Sequence, residues 1–198
     1  MSGLLIAFEG LDQSGKQTQA ERLRDRLVEQ GRLVRLLSFP AYETPIGAEI
    51  ERALRGARDH GPDVMQLLYV ANRYELKGEI EREHARGTVL ICDRYLGSSI
   101  AYGAAQGLDP QWLRDIQRFL PQPELTVLLD IAPAISARRK TQDRDRYERD
   151  LALLARVRER YLREAGAAGW VVLDADRDRD AVAADVMSAA GVHLRREA

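Results

Sequence analysis

The chain of 198 residues contains one cysteine and three histidines. With no second cysteine there can be no disulfide within the chain, so we expect a protein of the reducing cytoplasm. Cys92 lies in the apolar run VLIC, which predicts a buried thiol. The histidines, His60, His84 and His193, are scattered along the chain. Their spacing does not predict a zinc site.

Long apolar runs and a strong net charge are also missing. No run approaches the roughly 18 apolar residues of a membrane helix, and the N-terminal LLIAFEG lacks the basic start and cleavage site of a signal peptide. The net charge is −1 and the pI about 6.3. We therefore expect neither nucleic acid nor a membrane as a partner. Repeats, low-complexity segments and linkers are absent from the sequence, so we expect one domain spanning 1–198.

Lysine is scarce beside arginine. Only Lys16, Lys77 and Lys140 are lysines among the 30 basic residues. A genome that prefers arginine codons accounts for the general bias. A lysine kept inside a glycine-rich segment, at Lys16, suggests that this position needs a compact ammonium group.

Five apolar runs alternate with helical patterns along the chain. The runs predict strands at 4–9, 33–39, 88–93, 125–131 and 170–174. Helical spacing follows the first run up to Gly31 and recurs at 46–55, 64–86, 110–119, 134–139, 148–165 and 179–190. Strands that are apolar on both faces and separated by helices predict an α/β fold, with a parallel sheet covered on both sides.

Polar residues follow the predicted strands where each one ends. Asp12 follows the first strand, Phe39 and Pro40 follow the second, Asp93 and Arg94 end the third, and Asp130 ends the fourth. Active groups of a doubly wound sheet gather at the carboxyl ends of its strands. The sequence therefore predicts a functional site at this edge.

The segment EGLDQSGKQT fits the pattern G-x-x-x-x-G-K from Gly10 to Lys16. Its glycines let backbone N–H groups turn toward a phosphate, and the following helix adds its positive end. The pattern normally continues with a Ser or Thr that binds Mg²⁺, whereas here Gln17 follows. An ordinary glycine-rich turn is the alternative. The strand before it and the helix after it favour a phosphate loop at 10–18.

Two further motifs carry possible ligand groups. In DRY, Asp93 suits an acid that faces Mg²⁺ and its waters, and Arg94 suits a phosphate clamp; the alternative for Asp93 is a helix cap. Tyr69 and Arg73 are four residues apart, so they share one face of a helix. There the tyrosine ring would stack on a base and the guanidinium would hold its phosphate. Spacing alone favours the other interpretation, an amphipathic helix with an exposed arginine.

The stretch 138–150 is rich in arginine and aspartate. A mobile lid with arginines would bring positive charge to a transferring phosphoryl group. A solvated helix face is the alternative. An apolar repeat begins at Leu151, and Asp145 is a candidate N-cap for the helix that carries it.

In their order, these motifs resemble the thymidylate kinase family. The resemblance rests on FEGLDQSGKQT, FPAY, LLYVANR, DRYLGSSIAY, PELTVLLDI, DRYE and WVVLDA, and it spans nearly the whole chain. It implies a P-loop NTPase-type, five-stranded parallel sheet with helices on both faces and a charged lid at about 138–148. It also implies transfer of the ATP γ-phosphate to dTMP with Mg²⁺, and a homodimer packed through helices.

The resemblance also implies roles for individual residues. The loop would hold the ATP phosphates, through Gly10, Leu11, Asp12, Gln13, Ser14, Gly15, Lys16, Gln17 and Thr18. In the acceptor site, Asp12 would contact the 3′-OH, Tyr69 would stack on thymine, and Tyr102 would pack under the sugar. The other acceptor residues would be Phe39, Pro40, Arg73, Arg94, Ser98, Ser99, Tyr147 and Glu148.

Two departures from the family pattern concern magnesium and charge. With Gln17 at the hydroxyl position, we expect Mg²⁺ to be held by phosphates, water and the carboxylates Asp12, Asp93 and Glu148. The loop carries no arginine, so the lid is the expected source of transition-state charge, with Arg139 or Arg144 preferred over Arg138 and Arg146. The expected catalytic set is Lys16, Asp12, Arg94, Arg139 and Arg144.

Other functions stay open from the sequence. Another nucleoside monophosphate kinase or a deoxynucleoside kinase would share the glycine loop or the acid–arginine pair. Gln17 would also suit a regulatory module that binds ATP without turnover. An interaction protein built on this fold would bind no nucleotide.

Overall fold

A five-stranded parallel sheet forms the centre of the protein. The computed structural model describes residues 3–139 and 150–194. Its strands are β1 (Leu4–Glu9), β2 (Val34–Ser38), β3 (Val89–Asp93), β4 (Leu125–Asp130) and β5 (Val171–Asp174), in the order β2-β3-β1-β4-β5. β1 is therefore central, and its Ile6 is level with Ile91 of β3 and Leu125 of β4. The predicted α/β fold with five parallel strands is confirmed.

Helices follow each of the strands along the chain. They are α1 (Lys16–Glu29), α2 (Pro45–Leu54), α3 (Pro62–Ala85), α4 (Leu96–Ala105), α5 (Pro110–Asp115), α6 (Pro133–Arg139), α7 (Leu151–Ala168) and α8 (Arg179–Leu194). No helix of the described residues is both long and apolar enough to cross a membrane.

The central strands are buried on both faces, and their successive side chains belong alternately to two apolar clusters. Leu4, Ile6 and Phe8 of β1 pack in one cluster with residues of α1, α7 and α8. Leu5 and Ala7 pack in the other with residues of α3 and α4. Since successive side chains of a strand point to opposite faces, the sheet is covered on both sides, as its apolar strands predicted.

The predicted helices need correction in several places, including the C-terminal ends of α7 and α8, predicted at 165 and 190 and observed at Ala168 and Leu194. The helix α4 was not predicted, because its sequence LGSSIAYGAA consists mostly of small residues and is almost entirely buried, so it shows no polar face. The helix predicted at 110–119 ends at Asp115, and turns follow. The N-cap of α7 is Asp150, whose carboxylate accepts a hydrogen bond from the Leu153 N–H at 2.9 Å. The predicted cap, Asp145, lies outside the described residues.

Candidate active site

The phosphate loop joins β1 to α1 through turns with positive φ. Gly10 has φ 139° and Gly15 has φ 94°, which favour glycine. A Cβ at Gly10 would lie 2.4 Å from the carbonyl oxygen of Leu129, so a side chain is excluded there. The helix α1 starts directly after the loop at Lys16. This is the arrangement in which a helix N-terminus and loop N–H groups bind an anion.

Lys16 is buried at the start of α1. Its side chain is 5% exposed, and Nζ donates a hydrogen bond of 2.8 Å to the Leu11 carbonyl. Burial, together with the nearby Arg94 charge, lowers the pKa of Lys16 to about 8. The ammonium is held inside the loop, where it lines a cleft with the other loop residues.

This cleft collects side chains from the carboxyl ends of several strands. Asp93 ends β3 and Arg94 follows it, while Phe39 and Pro40 follow β2. Arg177, from the segment between β5 and α8, and Arg179, the first residue of α8, also line the cleft and were not predicted. No motif marked these two residues, because their stretch DADRDRD resembles an ordinary polar loop.

Arg94 connects the phosphate loop to the helices α4 and α7. Its backbone has φ 64°, and Nη2 donates to Asp12 Oδ1 at 2.5 Å. Nη1 donates to the Gly10 carbonyl at 3.1 Å and to the hydroxyls of Ser98 and Tyr161 at 3.2 Å each. Burial alone would lower the pKa of Arg94, but the Asp12 charge together with the other neighbouring groups raises that pKa well above its ordinary value.

Asp12 faces both Arg94 and a tyrosine. Its second oxygen, Oδ2, accepts a hydrogen bond of 3.2 Å from the Tyr102 hydroxyl. Burial would raise the pKa of Asp12, but the charges of Arg94 and Lys16 outweigh it and bring the pKa to about 2. Asp12 is therefore a carboxylate throughout the neutral range.

A buried glutamate that the sequence analysis missed holds this network in place. Glu9, at the end of β1, is fully buried. Its carboxylate accepts from Tyr95 N–H at 2.9 Å, from Ser98 Oγ at 2.6 Å and from the Tyr161 hydroxyl at 3.2 Å. Ser98 and Tyr161 thus stand between Glu9 and Arg94. A glutamate closing the apolar run LLIAFE was the available signal.

A second cavity adjoins the cleft and is lined by aromatic and polar side chains. Within the described residues it contains every predicted acceptor residue: Asp12, Phe39, Pro40, Tyr69, Arg73, Arg94, Ser98, Ser99 and Tyr102. Tyr42, Leu54 and Gln66 also line it and were not predicted. These three come from α2, from α3 and from the segment before α2, where no motif marked them.

Arg73 points into the protein and is 3% exposed. Its Nη1 donates to Ser99 Oγ at 2.8 Å and to the Tyr69 carbonyl at 3.2 Å, and its guanidinium carbon lies 5.8 Å from the centroid of the Phe39 ring. Burial lowers the pKa of Arg73 from that of a free arginine. The alternative of an amphipathic helix with an exposed arginine is wrong at this position.

Asp93 has a buried oxygen, Oδ1, without a hydrogen-bond partner among the described residues. It is not a helix cap, because the N-cap of α4 is Tyr95 and no side chain caps that helix. An unpaired carboxylate oxygen beside a phosphate loop fits a hard cation. The described residues contain no cluster of three or more metal-binding side chains.

Gln17 lines the cleft, but its side chain makes its hydrogen bond along α1. Its side chain is exposed and donates a hydrogen bond of 2.9 Å along α1 to Glu21 Oε1. The next residue, Thr18, is half-buried and lines the cleft with the loop.

Arg139, at the end of α6, joins two sides of the cleft. Its Nη1 donates to the Gln13 carbonyl at 3.1 Å, and its Nη2 donates to the Ala175 carbonyl and to Asp176 Oδ1 at 3.2 Å each. The predicted site residues Arg144, Tyr147 and Glu148 lie outside the described residues, as does most of the predicted lid.

Comparison with known proteins identifies the family. The thymidylate kinase family model matches residues 8–186. The chain belongs to the thymidylate kinase family. The resemblance inferred from the motifs is thereby confirmed.

Similarity to individual members of the thymidylate kinase family extends along most of the chain. A thymidylate kinase of Schizosaccharomyces pombe is 40% identical over 147 residues, covering 74% of this chain and 70% of the relative. A probable thymidylate kinase of Staphylothermus marinus is 36% identical and covers 98% of this chain and 97% of its own. The solved structure of thymidylate kinase from Candida albicans matches with a TM-score of 0.83 and 30% identity, over 98% of this chain and 93% of that one.

Proposed function

We propose that this protein transfers the γ-phosphate of ATP to dTMP, forming dTDP and ADP, with Mg²⁺. One observation carries the proposal beyond family membership: the phosphate-loop cleft and the aromatic cavity share lining residues, including Asp12 and Arg94. A donor phosphate in the cleft and an acceptor phosphate in the cavity would meet at these two side chains. Direct transfer between two nucleotides requires such a junction.

The donor half of the reaction belongs to the phosphate loop. The N–H groups of residues 10–18 and the Lys16 ammonium would bind the ATP phosphates. Arg139 already bonds to the Gln13 carbonyl of the loop, which supports a role for it at the transferring phosphoryl group. Arg144 stays a second candidate for that role.

The acceptor half belongs to the aromatic cavity. Tyr69 would stack on thymine, Arg73 would bind the base or the monophosphate, and Arg94 would lie between the two phosphates. Tyr102 would pack under the deoxyribose, whose 3′-OH would contact Asp12. The remaining acceptor contacts would come from Phe39, Pro40, Ser98, Ser99, Tyr147 and Glu148.

We propose that Mg²⁺ binds in the phosphate-loop cleft. Asp93 would be its main protein ligand, because Oδ1 of Asp93 has no hydrogen-bond partner among the described residues. Asp12 and Glu148 would be further carboxylates. Bound Mg²⁺ neutralises phosphate charge during transfer.

The chemistry needs little from the protein beyond position and charge. The phosphate oxygen of dTMP is already a nucleophile, so a strong general base is unnecessary. Arg94 is fixed by its four partners before substrate binds, and a preorganised cation stabilises charge that develops in the transition state. Lys16 and Arg139 would add positive charge from the donor side.

We further propose a homodimer that acts in the cytoplasm as a single catalytic domain. Exposed apolar side chains on α3, Val64 and Leu67, support contact through that helix. The absence of a second cysteine in the sequence supports a reducing compartment.

The test is ADP release from Mg-ATP with each nucleoside monophosphate in turn. We expect turnover chiefly with dTMP and weakly with dUMP. Turnover chiefly with another acceptor would overturn the thymine assignment and keep the kinase. ATP binding without turnover of any acceptor would favour a regulatory module instead.

A further inference from the structure

We propose that Gln66 recognises the hydrogen-bonding edge of the acceptor base and thereby contributes to substrate specificity. The inference rests on the proposed function, because it assigns a role inside the same acceptor cavity. Gln66 lies on α3 and lines that cavity beside Tyr69 and Arg73.

The first observation is an unpaired amide oxygen. Gln66 is 1% exposed, and its Oε1 has no hydrogen-bond partner within the part of the chain that the structure describes. A buried polar atom without a partner costs free energy, so such an atom at a binding site indicates that a ligand supplies the missing bond. The amide torsion is broad and roughly two-fold, so a half-turn exchanges Oε1 and Nε2 and lets either one face the cavity.

The second observation is the position of the side chain. Gln66, Tyr69 and Arg73 are separated by three and four residues, so they share one face of α3. A Cβ added at Gly103 of α4 would lie 3.3 Å from Cγ of Gln66. The side chain is therefore confined between two helices, which holds its amide near a ring stacked on Tyr69.

The third observation is the complementary character of Arg73. Its Nε is also buried without a partner among the described residues, and a guanidinium only donates. The cavity thus offers one unpaired acceptor and one unpaired donor. Thymine presents an N3–H donor between two carbonyl acceptors. Gln66 accepts from N3–H while Arg73 donates to a carbonyl oxygen. Cytosine has an amino group where a donor-only arginine requires an acceptor, so the same pair rejects it.

The test substitutes Gln66→Leu, which keeps the approximate volume and removes the amide. We expect kcat/KM for dTMP to fall by about tenfold or more, because the N3–H group is then buried unpaired. We expect the melting temperature of the free protein to stay unchanged or rise, because an unpaired buried amide is replaced by an apolar group. Gln111→Leu, on the exposed surface of α5, is the matched control and should change neither quantity.

A substrate analogue separates recognition from a structural role. Wild-type protein should prefer dTMP over its N3-methyl analogue, and Gln66→Leu should lose most of that preference. Suppose that the wild type is active with dTMP. If Gln66→Leu then has the same kcat/KM for dTMP, or the same preference for dTMP over the N3-methyl analogue, this inference alone is overturned. A wild type without dTMP turnover would overturn the proposed function and this inference with it.

Discussion

Lys16 shows how the position of one side chain sets a pH dependence. Burial in the loop disfavours its charged form, so the pKa lies at about 8 rather than at the ordinary 10.5. The ammonium is the form that binds phosphate. In the free protein it is therefore fully present below pH 8 and is lost as the pH rises through that value.

We predict that kcat/KM for ATP falls with pH above about 8, approaching about tenfold per unit, since this parameter reports the free enzyme. Bound phosphates favour the charged amine, so kcat should stay level to a higher pH. Initial rates from about pH 6.5 to 10 measure both quantities. Gln17→Ser, which leaves Lys16 in place, is the control and should show the same limb. If kcat/KM for ATP in the wild type stays level up to about pH 9.5, the assignment of this pH dependence to Lys16 is contradicted.

Gln17→Ser tests whether the missing loop hydroxyl matters. Because Gln17 is exposed and bonded to Glu21 along α1, we expect kcat and the Mg²⁺ dependence to change by less than about threefold. Steady-state rates across a Mg²⁺ titration measure both, and Lys16→Met gives the scale of a true loop lesion. A large gain in kcat with a tighter Mg²⁺ dependence would show that the loop does need a hydroxyl.

Single residues of the site differed in how far the sequence predicted them. The spacing of the glycine loop predicted Lys16, and the loop together with DRY predicted Arg94. Asp12 was predicted from its place after the first strand and from the family resemblance. The joint role of Glu9 and Tyr161 became visible only in three dimensions, because these hydrogen-bonded residues are 152 positions apart in the sequence. Local patterns carry no information about such pairs.

At the scale of elements, α4 packs so closely that it requires a small residue. A Cβ at Gly97 would lie 2.5 Å from the Trp170 ring and 3.0 Å from Glu9 Oε1. Small residues along α4 therefore let it approach β1 and the start of β5. The same composition hid the helix from sequence analysis, since small buried residues show no periodic polar face.

We predict that Gly97→Ala lowers the free energy of unfolding by about 1–3 kcal/mol, because the added methyl overpacks the interface. Urea unfolding measures the change. The matched control is Gly166→Ala in α7, where a Cβ meets nothing within 4 Å. There alanine should stabilise the protein by up to about 1 kcal/mol. If both substitutions change the free energy of unfolding equally, the packing around Gly97 does not exclude a methyl group.

The short helix α6 presents Arg139 to the phosphate loop and to the segment after β5. We predict that Arg139→Ala lowers kcat by about tenfold or more, as expected for an arginine at a transferring phosphoryl group. Single-turnover rates with Mg-ATP and dTMP give the effect on chemistry. Arg163→Ala, an exposed pair partner of Glu159 in α7, is the control. If kcat falls by less than about tenfold, Arg139 does not act on the transferring phosphoryl group, and Arg144 is the preferred remaining candidate.

For the whole molecule, the exposed apolar residues of α3 bear on assembly. We predict that the protein sediments at twice the mass of the chain and that Leu67→Asp shifts it to the monomer. Leu67 is 47% exposed in the isolated chain, and a buried charge would oppose dimer contact there. Analytical ultracentrifugation gives both masses, with Val192→Asp on α8 as the control. A monomeric wild type would overturn the proposed dimer.

The architecture of the whole chain was the most predictable part. Each apolar run became a strand within one or two residues of its predicted bounds, since buried strands must be apolar on both faces. Which side chains meet across the cavities depends on how the helices cross the sheet. The sequence contains that information only through long-range packing, so the cavity residues Tyr42, Leu54 and Gln66 could not be found beforehand.

The single thiol of the chain has a practical consequence. Cys92 is fully buried within β3, and burial, reinforced by the Glu9 charge, raises the pKa of its thiol. Only the thiolate reacts readily with maleimides or oxidants. A cysteine introduced at an exposed position would therefore be the one reactive site in the folded protein. Fluorescent dyes or spin labels can thus be attached at chosen points of the folded protein, with the native residue left in place.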